Sequence, residues 1–447
     1  VTAIALPWLS TAVTRDPFLI ALVGVASRIP WLIFSLPAGV ITDRVDRRKL
    51  MWWSQAFRGL LMTGGAAIVI AYQSTLPDPG AVQDGASTEN MVVYGMIIVV
   101  SLLFGMAEVL YDNSAQTILP AIVEPEGLER ANGNLWGAEM VMNSFVGPPL
   151  GSLLIGIAFA YPFFFDGGTF VIAAVLIYLI SGNFRTRDAS EAQAGDKVDW
   201  WGEIKEGVKW LWAHPLLRPM AIILGLMNGL GAVTFATLVL FAQEILNTDA
   251  FLFALLGMSG AVGGIVGSVL APRISKALGS GTSLYLTLGA SVITNFVIGF
   301  ATHWTVVWLM FAMFSFSAVL WNVITVSLRQ TIIPDELLGR VNSVYRFFAW
   351  GMMPIGLALG GVLVSTVEGL GASRDIALRS PWWFVGVAYV LLFLYAAPKL
   401  TTEKIEAARD EGVAAKEALK EADEASSEGA DGAGGTPATP GESHDEG

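Results

Sequence analysis

Apolar runs of about 20 residues recur along the chain, separated by short polar turns. A helix of roughly 20 apolar residues crosses about 30 Å of hydrocarbon. The ten-residue apolar–polar alternation of a membrane β-barrel is absent. The pattern therefore predicts an all-α polytopic membrane protein of twelve spans. Spans 2 to 12 are expected near 17–41, 50–72, 91–118, 133–158, 165–182, 218–243, 251–271, 282–301, 304–327, 341–364 and 381–397. Residues 1–13 are apolar, but thirteen residues rise only about 20 Å as helix. Span 1 is thus expected to start before residue 1.

Two polar stretches break the rhythm. Residues 183–216 form a linker whose second half places Trp201, Ile204, Val208, Leu211 and Trp212 on one helical face and Lys205, Glu206 and Lys209 on the other. This reads either as an amphipathic helix at the headgroup level with tryptophan anchors or as a linker helix packed on the protein's own loops. After residue 398 the composition turns to Ala, Glu and Lys up to about residue 425, then to Ser, Gly, Pro and Glu without a basic residue. The expected organisation is a six-helix bundle over 1–183, a linker over 184–216, a second bundle over 217–397 and an acidic, largely disordered tail over 398–447.

Composition agrees: 54% of residues are hydrophobic and 14% charged, with mean hydropathy +0.60. The net charge of −12 is mostly a tail property, since the stretch after residue 398 holds 13 acidic and 5 basic residues. Cysteine is absent, and the three histidines (His214, His303 and His444) lie far apart, so thiol chemistry and a histidine metal cluster are excluded. No phosphate-binding GxxxxGK[ST] loop occurs, and nothing points to a cofactor, a metal, nucleic acid or an enzymatic reaction. Lys and Arg fall about five to one on the side of the turn at 43–49. The positive-inside rule makes that side, and the tail, cytoplasmic.

That turn, GVITDRVDRRK from Gly39 to Lys49, concentrates six charged residues between two apolar runs. Two other turns repeat each other. Gln116-Thr-Ile-Leu-Pro120 with Arg130 and Asn132 matches Gln330-Thr-Ile-Ile-Pro334 with Arg340 and Asn342. The spacing implies two parallel six-helix halves.

These residues resemble the major facilitator superfamily of transporters. Gly39-x-x-x-Asp43-Arg44-x-x-Arg47-Arg48 is similar to its signature between spans 2 and 3, with Asp46 where a Gly is usual. Gly147-Pro148-x-x-Gly151-Ser152 resembles the antiporter signature of its drug exporters. The paired turns and the Trp-x-x-His-Pro linker resemble the bacterial drug and siderophore exporter branch, which holds the enterobactin exporter and macrolide efflux proteins. The resemblance covers essentially residues 1–397. It implies alternating access, with spans 1, 4, 7 and 10 lining a central site. It also implies a cytoplasmic latch in which Asp43 meets the start of span 11, with Arg340 and Arg346 as partners.

Ionisable residues inside spans are costly and mark function. Arg28 lies near mid-depth in span 2, either toward substrate or in a structural ion pair. Glu108 and Asp112 share a face of span 4 at i and i+4. They, and Glu139 in span 5, read either as proton acceptors or as members of a salt-bridge lattice with Arg44, Arg130 or Arg340. Asp166 and Glu244 fall at outer ends, where solvation is expected. Gly147, Pro148 and Gly151 are expected to bend span 5 at the interface between halves, and Trp321 and Asn322 to line a cavity. The expected function is secondary active export of a small, moderately apolar molecule by proton antiport, from a monomer in the cell membrane. A lipid or nutrient permease, and a membrane scaffold or sensor acting through its tail, are the alternatives.

Overall fold

The computed structural model describes residues 1–34, 37–38, 41–42, 45–123, 127–180 and 200–432. Among these, helices and short turns make up the fold, with no strand. Ten helices are long and apolar enough to cross a membrane, and two more apolar helices are shorter. Spans 1 to 4 are α1 (Thr2–Val13), α2 (Pro17–Ile33), α3 (Arg47–Ala71) and α4 (Met91–Ile122). Span 5 is divided into α5 (Leu128–Val141) and α6 (Gly147–Ile157), and span 6 is α7 (Tyr161–Tyr178). The linker carries α8 (Trp200–Ala213). Spans 7 to 12 are α9 (Leu217–Phe235), α10 (Ala250–Leu278), α11 (Ser280–Phe300), α12 (Trp304–Ile332), α13 (Asp335–Gly369) and α14 (Arg374–Ala396). The tail begins with α15 (Thr402–Gly432).

Local chemistry explains where these helices start and bend. Asp46, where the signature usually has Gly, caps α3: its Oδ1 accepts the Lys49 N–H at 3.1 Å. Asp16, Asn90 and Asp249 cap α2, α4 and α10 in the same way. Between α5 and α6, residues Met142–Val146 form a π-helical turn. Pro148 and Pro149 follow, and neither can donate to the i→i−4 ladder, so the backbone widens just ahead of them. A second π turn, Phe241–Ile245, closes span 7. Span 12 starts at Arg374, seven residues before its apolar run. Arg379 is satisfied inside the helix by Asp375 at 3.1 Å and by the Gly299 and Ala301 carbonyls at 2.9 Å each. The tail is helical from Thr402 to Gly432, and at its start Leu400 and Ile405 bury fully against the second half.

The two halves repeat each other in packing as well as in sequence. In the first, α2 packs on α4 and α3 on both α4 and α7; in the second, α10 packs on α12 and α11 on both α12 and α14. Two seams join the halves, α2 against α13 and α6 against α10. These are corresponding helices exchanged, as expected for two parallel halves about a pseudo-two-fold axis. Small residues let the α2–α13 seam close. A Cβ on Gly24 would stand 3.3 Å from Leu357, and one on Gly361 would stand 3.1 Å from the Phe18 backbone. At one end of this seam, Trp31 and Trp350 stack with ring centroids 5.9 Å apart. That end carries α8 and α15 and is called the near face; the opposite end is the far face.

Candidate functional site

A cavity of about 680 Å³ lies on the seam between halves. Spans 1, 2, 4 and 5 contribute from one half, and spans 7, 8, 10 and 11 from the other. Its walls are largely apolar, with Phe235, Phe253, Phe311 and Phe314 from the second half. Hydroxyl and amide groups punctuate them, among them Ser27, Ser101, Asn143 and Ser315. Arg28 is the one charged side chain among the described lining residues. A mostly apolar pocket with a few polar groups is the usual form of a small-molecule site.

The sequence-expected residues distribute unevenly around this cavity. Arg28 and Pro148 line it. Gly147 and Gly151 face α1, where a Cβ on Gly151 would stand 2.9 Å from the Val1 carbonyl oxygen. Trp321 and Asn322 do not line it. Trp321 is 1% exposed in the second half's own core, and Asn322 is exposed with its Nδ2 donating to the Ala318 carbonyl at 3.0 Å. The lining face of α12 runs through Phe311, Phe314, Ser315 and Ala318; beyond it, the bulky indole turns into the bundle.

Of the residues expected to form a latch, Gly39, Asp43 and Arg44 lie outside the described residues. Arg47 and Arg48 open α3, and Arg48 Nη1 donates to the Ile180 carbonyl at 2.5 Å. Arg340 pairs with Glu206 of α8 at 2.6 Å, while Arg346 is exposed. Helix α8 packs on α13 through this pair, through Gly207 against the Arg340 backbone, and through Trp212 stacked on Phe348.

One charged residue escaped the sequence reading, and two others depart from it. Arg58, 8% exposed in α3, lies over the Phe104 ring at 4.2 Å and the Phe170 ring at 4.4 Å. Its guanidinium donates to Gln55 Oε1 at 3.1 Å and stands 3.9 Å from Glu108. Glu108 therefore faces a cation of its own half, with Asp112 one turn on and Glu139 exposed on α5. An arginine in an otherwise apolar run was the available signal; the two rings that hold it come from other helices.

Asp166 is buried rather than solvated, and its carboxylate accepts from the Thr2 hydroxyl. Glu244 is not solvated either. It pairs with Arg374 at 2.9 Å and with Arg15 at 3.5 Å on the far face. Around it, Arg15 Nη1 donates to Gln243 Oε1 at 2.6 Å, and Gln243 Nε2 donates to Thr11 Oγ1 at 3.0 Å. Arg374 also donates to Glu368 at 2.8 Å and to the Arg15 carbonyl at 2.9 Å. Burial pushes the Arg15 pKa down and Glu244 pulls it back, so the guanidinium sits in a partly desolvated, charge-paired position. Beneath it, Trp8 meets Phe253 across the seam with ring centroids 6.0 Å apart. Apolar and ionic contacts together bridge the halves on the far face.

Comparison with known proteins places this geometry. The sequence profile of the Major Facilitator Superfamily matches residues 1–354. The multidrug efflux pump Tap of Mycolicibacterium fortuitum is 24% identical, over 88% of this chain and 91% of its own. The enterobactin exporter EntS of Escherichia coli O1:K1 / APEC is 24% identical, over 75% of this chain and 72% of its own. Among solved structures, a bacterial homologue of the human lysosomal transporter Spinster, inward-facing and unoccupied, superposes with a TM-score of 0.60 at 13% identity. That match covers 92% of this chain and 93% of the other.

Proposed function

Because the chain belongs to the Major Facilitator Superfamily, we propose that it is a secondary active exporter of a small, moderately apolar molecule. The observation that carries this reading is the cavity of about 680 Å³ on the seam, bridged on its far face. The near face is the cytoplasmic one, where the positive-inside bias puts the linker and tail. Substrate enters the cavity from that side, and the halves rock about the α2–α13 and α6–α10 seams to present it to the other. Similarity to a multidrug efflux pump and to an enterobactin exporter supports export as the direction, with a drug-like or siderophore-like cargo.

Proton antiport drives the cycle in this reading. In this reading Glu108 and Asp112 on α4 exchange the proton, which the Arg58 guanidinium 3.9 Å from Glu108 supports, and Arg28, which lines the cavity, meets the cargo's polar end. Asp43 secures the near face when the cavity faces outward. Transport in inverted vesicles under an imposed pH gradient tests this. Flux should follow the gradient for compounds to which deletion of the protein sensitises cells; gradient-independent flux for all of them would overturn the antiport reading. Asp43→Asn should abolish transport while membrane insertion persists.

A further inference from the structure

We propose that the ion network around Glu244 is the latch holding the far face shut, and that release of Arg15 from it is the step that opens the cavity to that side. This rests on the alternating-access reading above, and its test is independent of cargo and of coupling ion.

The network has an uneven ownership. The second half supplies Gln243, Glu244, Glu368 and Arg374, while the first supplies Arg15 and Thr11. The Arg374–Glu368 and Arg374–Glu244 pairs are internal to the second half and survive any movement between halves. The cross-half links among the described residues are few. Arg15 reaches Gln243 at 2.6 Å and Glu244 at 3.5 Å, Gln243 reaches Thr11 at 3.0 Å, and Arg374 reaches the Arg15 carbonyl at 2.9 Å. All of them end on Thr11 or Arg15, at the end of α1 and in the turn to α2.

That is the construction of a reversible contact. A fixed strut would distribute its links over several elements of both halves. Here the guanidinium and carbonyl of Arg15 and the hydroxyl of Thr11 are held by a socket whose Arg374–Glu244 and Arg374–Glu368 pairs stay assembled without them. The socket is preorganised because Arg374 already orients Glu244 in bidentate fashion, through Nε at 2.9 Å and Nη2 at 3.1 Å. The charged side chains are 17–31% exposed, so they are partly desolvated when engaged, and water can reach them when the seam parts. Opening then trades charge-assisted bonds for hydration rather than stranding a buried ion.

The test uses the absence of cysteine from the chain. Spin labels are placed at Asp84→Cys and Thr302→Cys, exposed far-face positions of the first and second half. Their separation is measured by double electron–electron resonance on the protein in nanodiscs. With the network intact the short, latched separation should dominate. Glu244→Gln and, separately, Gln243→Leu should each raise the ratio of long to short separations on the order of tenfold, the scale of one lost charge-assisted bond. Glu244→Asp should shift it less. Unchanged distributions in either variant that inserts would overturn the latch. Exporter and latch fail separately: gradient-insensitive flux with shifted distances removes the antiport reading, and gradient-driven flux with unshifted distances removes the latch.

Discussion

Arg58 shows how a charge is tolerated in an apolar span. Its guanidinium lies between the Phe104 and Phe170 rings, so cation–π attraction and Glu108 together replace water. Lysine cannot reproduce a planar ion between two rings. Arg58→Lys is expected to lower the melting temperature of the purified protein, and Arg58→Ala to lower it further, by about 2 kcal/mol of stability. If Arg58 also holds Glu108 for proton exchange, Arg58→Lys will shift the pH profile of export; a purely structural role would leave the profile in place. Arg28 is the opposite case, a charge facing the cavity. Arg28→Gln should leave the melting temperature nearly unchanged and raise KM for cargo several-fold in vesicle transport.

Single elements carry the capping and bending chemistry, and here the sequence was readable to unequal degrees. Asp46 reads as an anomaly within the signature but is the N-cap of α3, and it is 6% exposed. Asp46→Ala should destabilise by about 1 kcal/mol and Asp46→Gly by only a few tenths, measured by thermal melts. His214 has a comparable role in the linker: its Nδ1 accepts the Leu216 and Leu217 N–H groups at 3.2 Å each, at the start of α9. Burial lowers its pKa below the ordinary 6.5, against an opposing pull from Glu411. The unfolded chain therefore binds the proton more readily. The stability His214 adds is complete above pH 6.5, falls as pH drops toward the lowered folded pKa and is gone below it. Melts across this window should show an acid-side loss that His214→Asn, which keeps an acceptor without a charge, removes. Helix number, order and repeat were legible because apolar periodicity and paired turns are local signals. The π turn was legible only as a Gly-Pro-Pro bend, since the sequence marks the missing donors but not how the backbone absorbs them.

On the scale of the whole molecule, what the sequence hid is what lies between halves. Arg15 and Gln243 are 228 positions apart, and Arg374 and the Arg15 carbonyl 359. No pattern along the chain announces such pairs, and a charged residue at the end of an apolar run reads by default as solvated. Trp321 failed for a related reason: its place on a helix face is local, but which neighbour that face meets is not. The assembled halves also bear on alternative functions. The last described helix ends at Gly432, so residues 433–447 can be deleted without cutting any described helix. Export by the shortened protein should be unchanged in vesicle assays; loss of export would favour a tail-dependent role.

The stacked indoles of Trp31 and Trp350 have an optical consequence. One ring belongs to each half, and at 5.9 Å with 21° between planes their electronic transitions couple. Parting of the near face uncouples them. The chain thus contains an intrinsic chromophore pair whose exciton signal, isolated as the near-ultraviolet circular-dichroism difference between the parent and Trp31→Phe, should diminish as the halves separate at that end. The cycle could then be followed without any label, by light alone.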